Sequence, residues 1–405
     1  MAECSSSDDW VMLDCDNPAD SDGDDVILAL SSSCATPTCC SDDDDMEETD
    51  ADDDGFFAEE LEEDPPLARP LSGLFYHTAS TKEPGYLAFD ALRGAKQLIP
   101  DPRFSAFLEP VAVLASTRGL VCVRGESSGC YYVANPATFR RVRLPRHTRD
   151  HSAFGIPAVV LTFEENATPI EHFHVVVAFN IEGGVWAFES FSSRTWEWRV
   201  SSEISVVEQV VPTSGVGALG RAFWRTSIGY ILCYDPEKGY SDVLPAPQEV
   251  ETQPLWELGE MEGKLCVTCM DERITEVVVL CLNMDHLLDG EPAWSWAGQF
   301  EGGRLRNREG AELLRSQGAA EVVMWDPTEE RIVVMDLDGR TTRTIGPLSD
   351  EDYSAGFIPF VASVTEIASE QLSAKHRISA ADANTPNLGA DASTLNFAAS
   401  AAQVH

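Results

Sequence analysis

The sequence predicts an all-β fold, a β-propeller of six blades with four antiparallel strands each. Three observations carry this reading. A strand–turn–strand phrase recurs along the chain, and its clearest copy is YYVANPATFRRVRLP, Tyr131 to Pro145. The turn residues of successive copies, Asp90, Asn135, Ser190, Asp235, Asn283 and Asp326, stand 45, 55, 45, 48 and 43 positions apart, a spacing that matches propeller blades. Only Arg304 to Gln317 reads as helical, so strands must build nearly all of the core.

In the clearest copy, Tyr131, Tyr132 and Val133 are strong strand formers. Asn135-Pro136 supplies the turn, because proline presets φ and asparagine hydrogen-bonds its own backbone. Val142 and Leu144 then alternate with arginines until Pro145 stops the strand. YILCYDPEKGYSDVLP, Tyr230 to Pro245, and VVMWDPTEERIVVMD, Val322 to Asp336, repeat the phrase with Asp235-Pro236 and Asp326-Pro327 at the turn. Fainter copies start at Tyr86, Val185 and Val277.

Charge divides the chain. Residues 1–68 hold 24 of the 68 acidic residues and no Lys or Arg, leaving 44 acids against 28 bases in the remainder. Residues 1–69 are therefore expected to be an acidic disordered tail, too repulsive and too poor in apolar surface to fold. Residues 70–368 form the propeller. Residues 369–405, rich in Ala, Ser and Asn, read as a second disordered tail. Neither part would be drawn to nucleic acid or to an anionic membrane. The start, MAECSSSDDW, lacks the charged and apolar regions of a secretory signal, and no run reaches the roughly 18–20 apolar residues of a membrane helix. A cytoplasmic or nuclear chain is expected, with its 11 cysteines as reduced thiols.

Two apolar islands interrupt the acidic tail, DDWVMLD and DDVILAL. Trp10 and Leu13 in the first suit addition to a sheet edge, each side chain filling a pocket while the backbone pairs. They resemble the motif that docks on ubiquitin-like autophagy adaptors, and the second island resembles motifs for the small ubiquitin-like modifier. The competing reading is a solvated tail with incidental apolar residues.

From Leu71 onward strands follow one another. LSGLFYHT, PGYLAFD, PVAVL and STRGLVCVRG lead into the anchor phrase, and IPAVVLTFEE and HFHVVVAFN follow it. The final phrase, FIPFVASVTEI (Phe357 to Ile367), is expected to be a strand that pairs with the first blade and closes the ring.

No chemical motif is complete. Gly215, Gly217 and Gly220 spell G-x-G-x-x-G, but a dinucleotide site needs a helix next, and RAFWRTSIGYILCY is strand-like. His172 and His174 would share a strand face, but no acid or cysteine at matching spacing completes a metal site. Cys266 and Cys269 would point to opposite faces of a strand as buried small residues. No nucleophile pattern such as G-x-S-x-G occurs, and Asn166-Ala167-Thr168 is a sequon without meaning in a cytosolic chain. No catalytic residue, cofactor or metal is expected.

Arg118-Gly119-Leu120-Val121-Cys122, then Asn135-Pro136-Ala137-Thr138, then Leu144-Pro145 resemble the pattern of the plant F-box-associated β-propeller family, kelch-like in its repeats. That pattern runs from a strand of the form NGLLL, through one ending in NPAT, to one ending in LP. PRFSAFLEP, ALGRAFWRTSIGYILCYD and FIPFVASVTEI carry the same texture, so the resemblance covers residues 71–368. It implies a substrate-recognition propeller of a cullin-based ubiquitin ligase. Members usually begin with a helical F-box that opens with Leu-Pro and docks on the ligase adaptor subunit, and residues 1–70 do not fit one. The expected function is a non-catalytic interaction module without its own F-box, holding a protein partner at a rim or channel mouth. The alternatives are a ligase receptor with a degenerate or missing F-box, and an enzyme using the channel. Because a disordered tail buries little, deleting residues 1–69 should leave the melting temperature nearly unchanged. A fall of many degrees would mean that the tail completes a blade.

Overall fold

The computed structural model describes residues 69–368 apart from short gaps at 78–83, 90–98, 154, 166–170, 208, 254, 272–275, 284–292, 302–309, 338–340 and 348–355. Trp10, Leu13, Asp90 and the sequon therefore lie outside the described residues. The strands form six antiparallel sheets arranged as the blades of a ring. Blade 1 holds β3 (Val111–Thr117), β4 (Leu120–Gly125), β5 (Tyr131–Asn135) and β6 (Arg140–Arg143). Blade 2 holds β7 (Ala158–Phe163), β8 (Phe173–Glu182), β9 (Val185–Ser192) and β10 (Glu197–Val206). Blade 3 is β11 (Val216–Ala218), β12 (Arg221–Arg225), β13 (Tyr230–Asp235) and β14 (Tyr240–Pro245). Blade 4 is β15 (Leu255–Met261), β16 (Lys264–Met270), β17 (Glu276–Asn283) and β18 (Ala293–Glu301). Blade 5 is β19 (Glu312–Leu314), β20 (Glu321–Asp326), β21 (Arg331–Asp336) and β22 (Thr342–Pro347).

Blade 6 joins the two ends of the folded chain. Its inner strand is β23 (Ile358–Phe360), which pairs with β1 (Gly73–His77), and β1 pairs in turn with β2 (Pro84–Ala88). The predicted closure is therefore observed, but the closing strand is shorter than expected. Residues 361–368 leave the sheet and run over blade 1, where the Asn135 side chain donates to Ser363 O at 3.1 Å and Thr365 O at 2.9 Å. Gly119 permits the close approach: its φ is +83°, and a Cβ there would lie 2.1 Å from Ser363 Oγ. Ile367 and Ala368 then bury themselves between blades 1 and 2.

Each seam between neighbouring blades has its own apolar core. Blades 1 and 2 meet around Val133, Val175 and Phe191, and blades 2 and 3 around Phe188 and Trp224. Blades 3 and 4 share Phe223 and Val267, blades 4 and 5 share Val279 and Met324. Blades 5 and 6 share Leu74 and Trp325, and the ring closes around Phe75, Val123 and Phe360. Both faces of β7 and of β20 are covered by the neighbouring blades, so AVVLTF and EVVMWD are buried throughout and do not alternate.

Several sequence expectations need correction. Arg304 to Gln317 is not a helix: its described part contains strand β19 (Glu312–Leu314), and the α-helix found among the described residues is the four-residue Glu249–Thr252. The polar character of Arg315, Ser316 and Gln317 arises because they fill the ring centre, where all three are buried. Asp326-Pro327 is out of phase with the other repeats. Asn135 and Asp235 end the third strands of their blades, whereas Asp326 ends the second. The phrase misleads because its hydrogen bonds are local. Asp326 Oδ1 accepts Thr328 N–H, just as Asp235 Oδ1 accepts Glu237 N–H and Asn135 Oδ1 accepts Ala137 N–H, so any hairpin can use it.

The cysteines are not all thiols. β16–β17 register sets Cys266 opposite Cys281 with Cα atoms 4.2 Å apart, and the two form a disulfide. Cys269 does face the other seam, opposite Val278, as a buried free thiol.

Phe360 is fully buried, with ring contacts to Phe75 at 5.5 Å and Tyr86 at 6.4 Å. Phe360→Ala should destabilise the ring by about 3–5 kcal/mol, read from the shift in urea midpoint. A loss below about 1 kcal/mol would show that β23 is dispensable for closure.

Candidate functional site

The inner strands β3, β7, β11, β15, β19 and β23 surround the ring axis, and clefts open at both ends of the channel. One is built at the starts of inner strands and the other at their ends. The front cleft, of about 350 Å³, gathers charges from three consecutive blades. Arg225 at the end of β12 stacks its guanidinium over the Trp256 ring at 5.3 Å and donates to Trp256 O. Its Nη2 stands 3.7 Å from the Glu257 carboxylate. Arg225 Nε is buried without a hydrogen-bond partner among the described residues.

Arg315 is a buried cation. It donates across the channel to Gly215 O at 2.6 Å and Phe357 O at 2.7 Å, tying blades 3 and 6 to blade 5. Burial pulls its pKa down to about 10 despite the nearby Glu257 charge. Burial likewise raises the Glu257 carboxyl, against the opposing pull of Arg225 and Arg315. The rear cleft, of about 210 Å³, is lined by Arg118, Glu165 and Glu260 among others. Burial raises the Glu260 carboxyl, which accepts Gly263 N–H at 2.6 Å and Gly318 N–H at 3.0 Å.

The glycines of G-x-G-x-x-G serve packing. Gly217 lies in β11 so close to blade 2 that a Cβ would sit 2.1 Å from Leu161 O, while Gly220 turns the chain directly into β12. His172 and His174 part company: His172 Nδ1 meets Ser193 Oγ at 3.4 Å, and His174 Nε2 meets Glu164 at 3.4 Å. The fold supplies carboxylates that spacing could not reveal, since Glu164, His174 and Glu237 come from three different segments and converge within 4.8 Å. Arg194 also binds Glu164 through Nε and Nη2. Burial alone would raise Glu164, but the bonds from His174 and Arg194 outweigh it and hold the carboxyl down to about 2. That grouping is an ion pair.

A second group was hidden from the sequence. Tyr131 Oη donates to His151 Nδ1 at 3.0 Å, and His151 Nε2 donates to Glu189 at 2.9 Å, with Tyr131, His151 and Glu189 all buried. Glu189 of blade 2 also accepts the N–H groups of Thr148 and Arg149, so it holds the loop that enters from blade 1. His147 stacks on His151 with centroids 4.4 Å apart and planes at 20°. Lone pairs of nearly parallel rings do not converge on one ion, so this group reads as a latch between blades. The family-pattern residues are structural too. Leu120 and Leu144 are core residues, Pro136 and Pro236 are buried at their turns, and Pro145 O accepts the Trp198 indole at 2.8 Å.

No family model matches the chain, and no curated protein matches it. Among solved structures, a protein in a nidogen/laminin complex aligns with 72% of this chain and 99% of its own, at 13% identity and a TM-score of 0.41. AztD from Citrobacter koseri aligns with 74% of this chain and 90% of its own, at 10% identity and a TM-score of 0.37. A structure of YCF48 bound to D1 peptide aligns with 58% of this chain and 67% of that one, at 12% identity and a TM-score of 0.33. At these values the likenesses carry no functional argument. No helix among the described residues is long and apolar enough to cross a membrane.

His151 makes the latch sensitive to pH. Burial lowers its pKa, partly opposed by Glu189, so the folded state takes up the proton less readily than the unfolded one. Stability is then complete above the unfolded value near 6.5 and declines as pH falls through it. His77, lowered first by burial, acts with the same sign. Melting temperature should therefore drop between about pH 7.5 and 5.5, and His151→Gln should flatten part of that drop. A His151→Gln profile that runs parallel to the wild type would contradict the latch.

Proposed function

We propose that the chain is a non-catalytic protein-recognition module whose front channel mouth takes an extended segment of a partner protein. The observation that carries this reading is the convergence of Arg225, Trp256, Glu257 and Arg315 from blades 3, 4 and 5 in one cleft. The Arg225 side chain lines the cleft and keeps 27% of its surface exposed, so its guanidinium can meet a partner carbonyl or carboxylate. Trp256 presents an aromatic wall beside it, and aromatic and arginine anchors dominate recognition surfaces. The charges come from different blades, so only the closed ring assembles them.

The resemblance of residues 71–368 to F-box-associated propellers supports a finer version. In it the module selects substrates as the recognition half of a plant ubiquitin ligase does, but works in the cytoplasm or nucleus without an F-box of its own. Two assays test the reading. Panning a phage-displayed peptide library against the purified chain should enrich peptides that lose at least about 10-fold in affinity to Arg225→Ala. Peptides indifferent to that change would remove the front mouth from the account. In a direct titration, the cullin-ligase adaptor subunit should not bind; saturable binding would make the chain a ligase receptor in its own right.

A further inference from the structure

The outer edge of blade 1 differs from the outer edges of blades 2 and 3. β10 mixes Arg199 with Glu197 and Glu203, and β14 reads YSDVLP. β6 instead carries Arg140, Arg141 and Arg143 in four positions, and the loop after it adds Arg146 and Arg149. All five are exposed. They stand together on a chain whose net charge is −40.

Their own contacts answer part of this charge, and Asp101 and Glu109 lie within electrostatic reach of Arg141 and Arg143. Arg140 makes an exposed ion pair with Glu366 at 3.0 Å. Arg141 stacks over the Phe107 ring at 4.8 Å, and Arg143 donates to Cys130 Sγ at 2.9 Å. Among the described residues, Arg141, Arg146 and Arg149 have no carboxylate at ion-pair distance.

The backbone of β6 is open on the same side. Leu144 N–H donates to Tyr131 O at 3.0 Å, which fixes the phase of the ladder. Val142 with Val133 and Arg140 with Asn135 are then the hydrogen-bonded pairs. It follows that the N–H and C=O groups of Arg141 and Arg143 point away from β5, towards an edge that no described strand covers. Two positions apart, their side chains lie on one face of the sheet.

We propose that the free edge of β6 binds an extended acidic peptide of a protein partner by strand addition. The peptide's carboxylates at alternate positions pair with Arg141 and Arg143, and its continuation meets Arg146 and Arg149. Main-chain pairing supplies the attachment and the alternate side chains supply the selection. The arginines reject an ordinary strand, as charges on exposed edges do, and the same charges admit one that carries matching acids. Nucleic acid has phosphates but no peptide N–H or C=O groups to complete the ladder. This surface is separate from the front mouth and does not rest on the reading of that cleft.

The probe is a fluorescein-labelled peptide of alternating Val and Glu, titrated into the full chain at low salt and followed by anisotropy. Saturable binding is expected, weakened about 10-fold or more when Gln replaces each Glu, or when Arg141→Glu and Arg143→Glu are combined. Arg146→Glu with Arg149→Glu, in the loop and outside the ladder, should weaken it as well, which guards against a folding defect in the strand variant. Methylating the peptide's amide nitrogens should abolish binding, because strand addition needs them. Lys238→Glu, a cation on another blade, and Arg225→Ala at the front mouth should leave it unchanged. Absence of saturable binding would overturn the proposal, as would indifference to the arginine changes or to methylation. Tighter binding of single-stranded RNA through the same arginines would also overturn it, in favour of nucleic acid.

Discussion

The structure depends on a sheet edge being covered by the other end of the chain. Each blade has two apolar faces, and a ring leaves neither exposed only if the first and last blades meet. Three residues of β23 achieve this by pairing with β1, and the segment that follows is strapped down by Asn135. The asparagine that marks the repeated phrase thus has two tasks. Its oxygen caps its own turn, and its amide nitrogen holds residues more than two hundred positions away. Phe360 and Gly119 belong to the same device, one filling the final seam and the other letting the strap come close.

Closure also creates the chemistry. Arg225, Glu257 and Arg315 are unremarkable in sequence and come from three blades, yet the ring sets them around one cleft where burial shifts Glu257 and Arg315 towards their neutral forms. A seam similarly places Glu189 against a loop of the preceding blade, and within blade 2 Glu164 sits between His174 and Arg194. Glu189, Glu164 and Arg315 are each paired or hydrogen-bonded, as burial requires. The arginines of β6 are the contrast, because they remain outside on an open edge.

Features governed by local chemistry were legible in the sequence. Tyr131–Asn135 and Arg140–Arg143 are strands where alternation and turn residues placed them, and the closing role of Phe357 to Ile367 followed from the need to remove an edge. Asp326 shows the limit of that approach, since an Asx turn looks the same in any hairpin and cannot report which hairpin it caps. Leu313 and Leu314 were misread because a short apolar pair among polar residues fits a helix as well as an inner strand beside a polar channel. The Cys266–Cys281 disulfide and the Tyr131–His151–Glu189 latch needed register and blade neighbours, which no spacing rule supplies.

The central claim is that residues 358–368 are an integral part of the ring, on which the front cleft and the seams rely. Amide hydrogen exchange of the full chain tests this most directly, because protection reports local opening free energy. Amides of β23 and of the strap beside Asn135 are expected to exchange as slowly as those of β8 in blade 2. Exchange at the rate of an unprotected peptide in that segment, with β8 still protected, would contradict it.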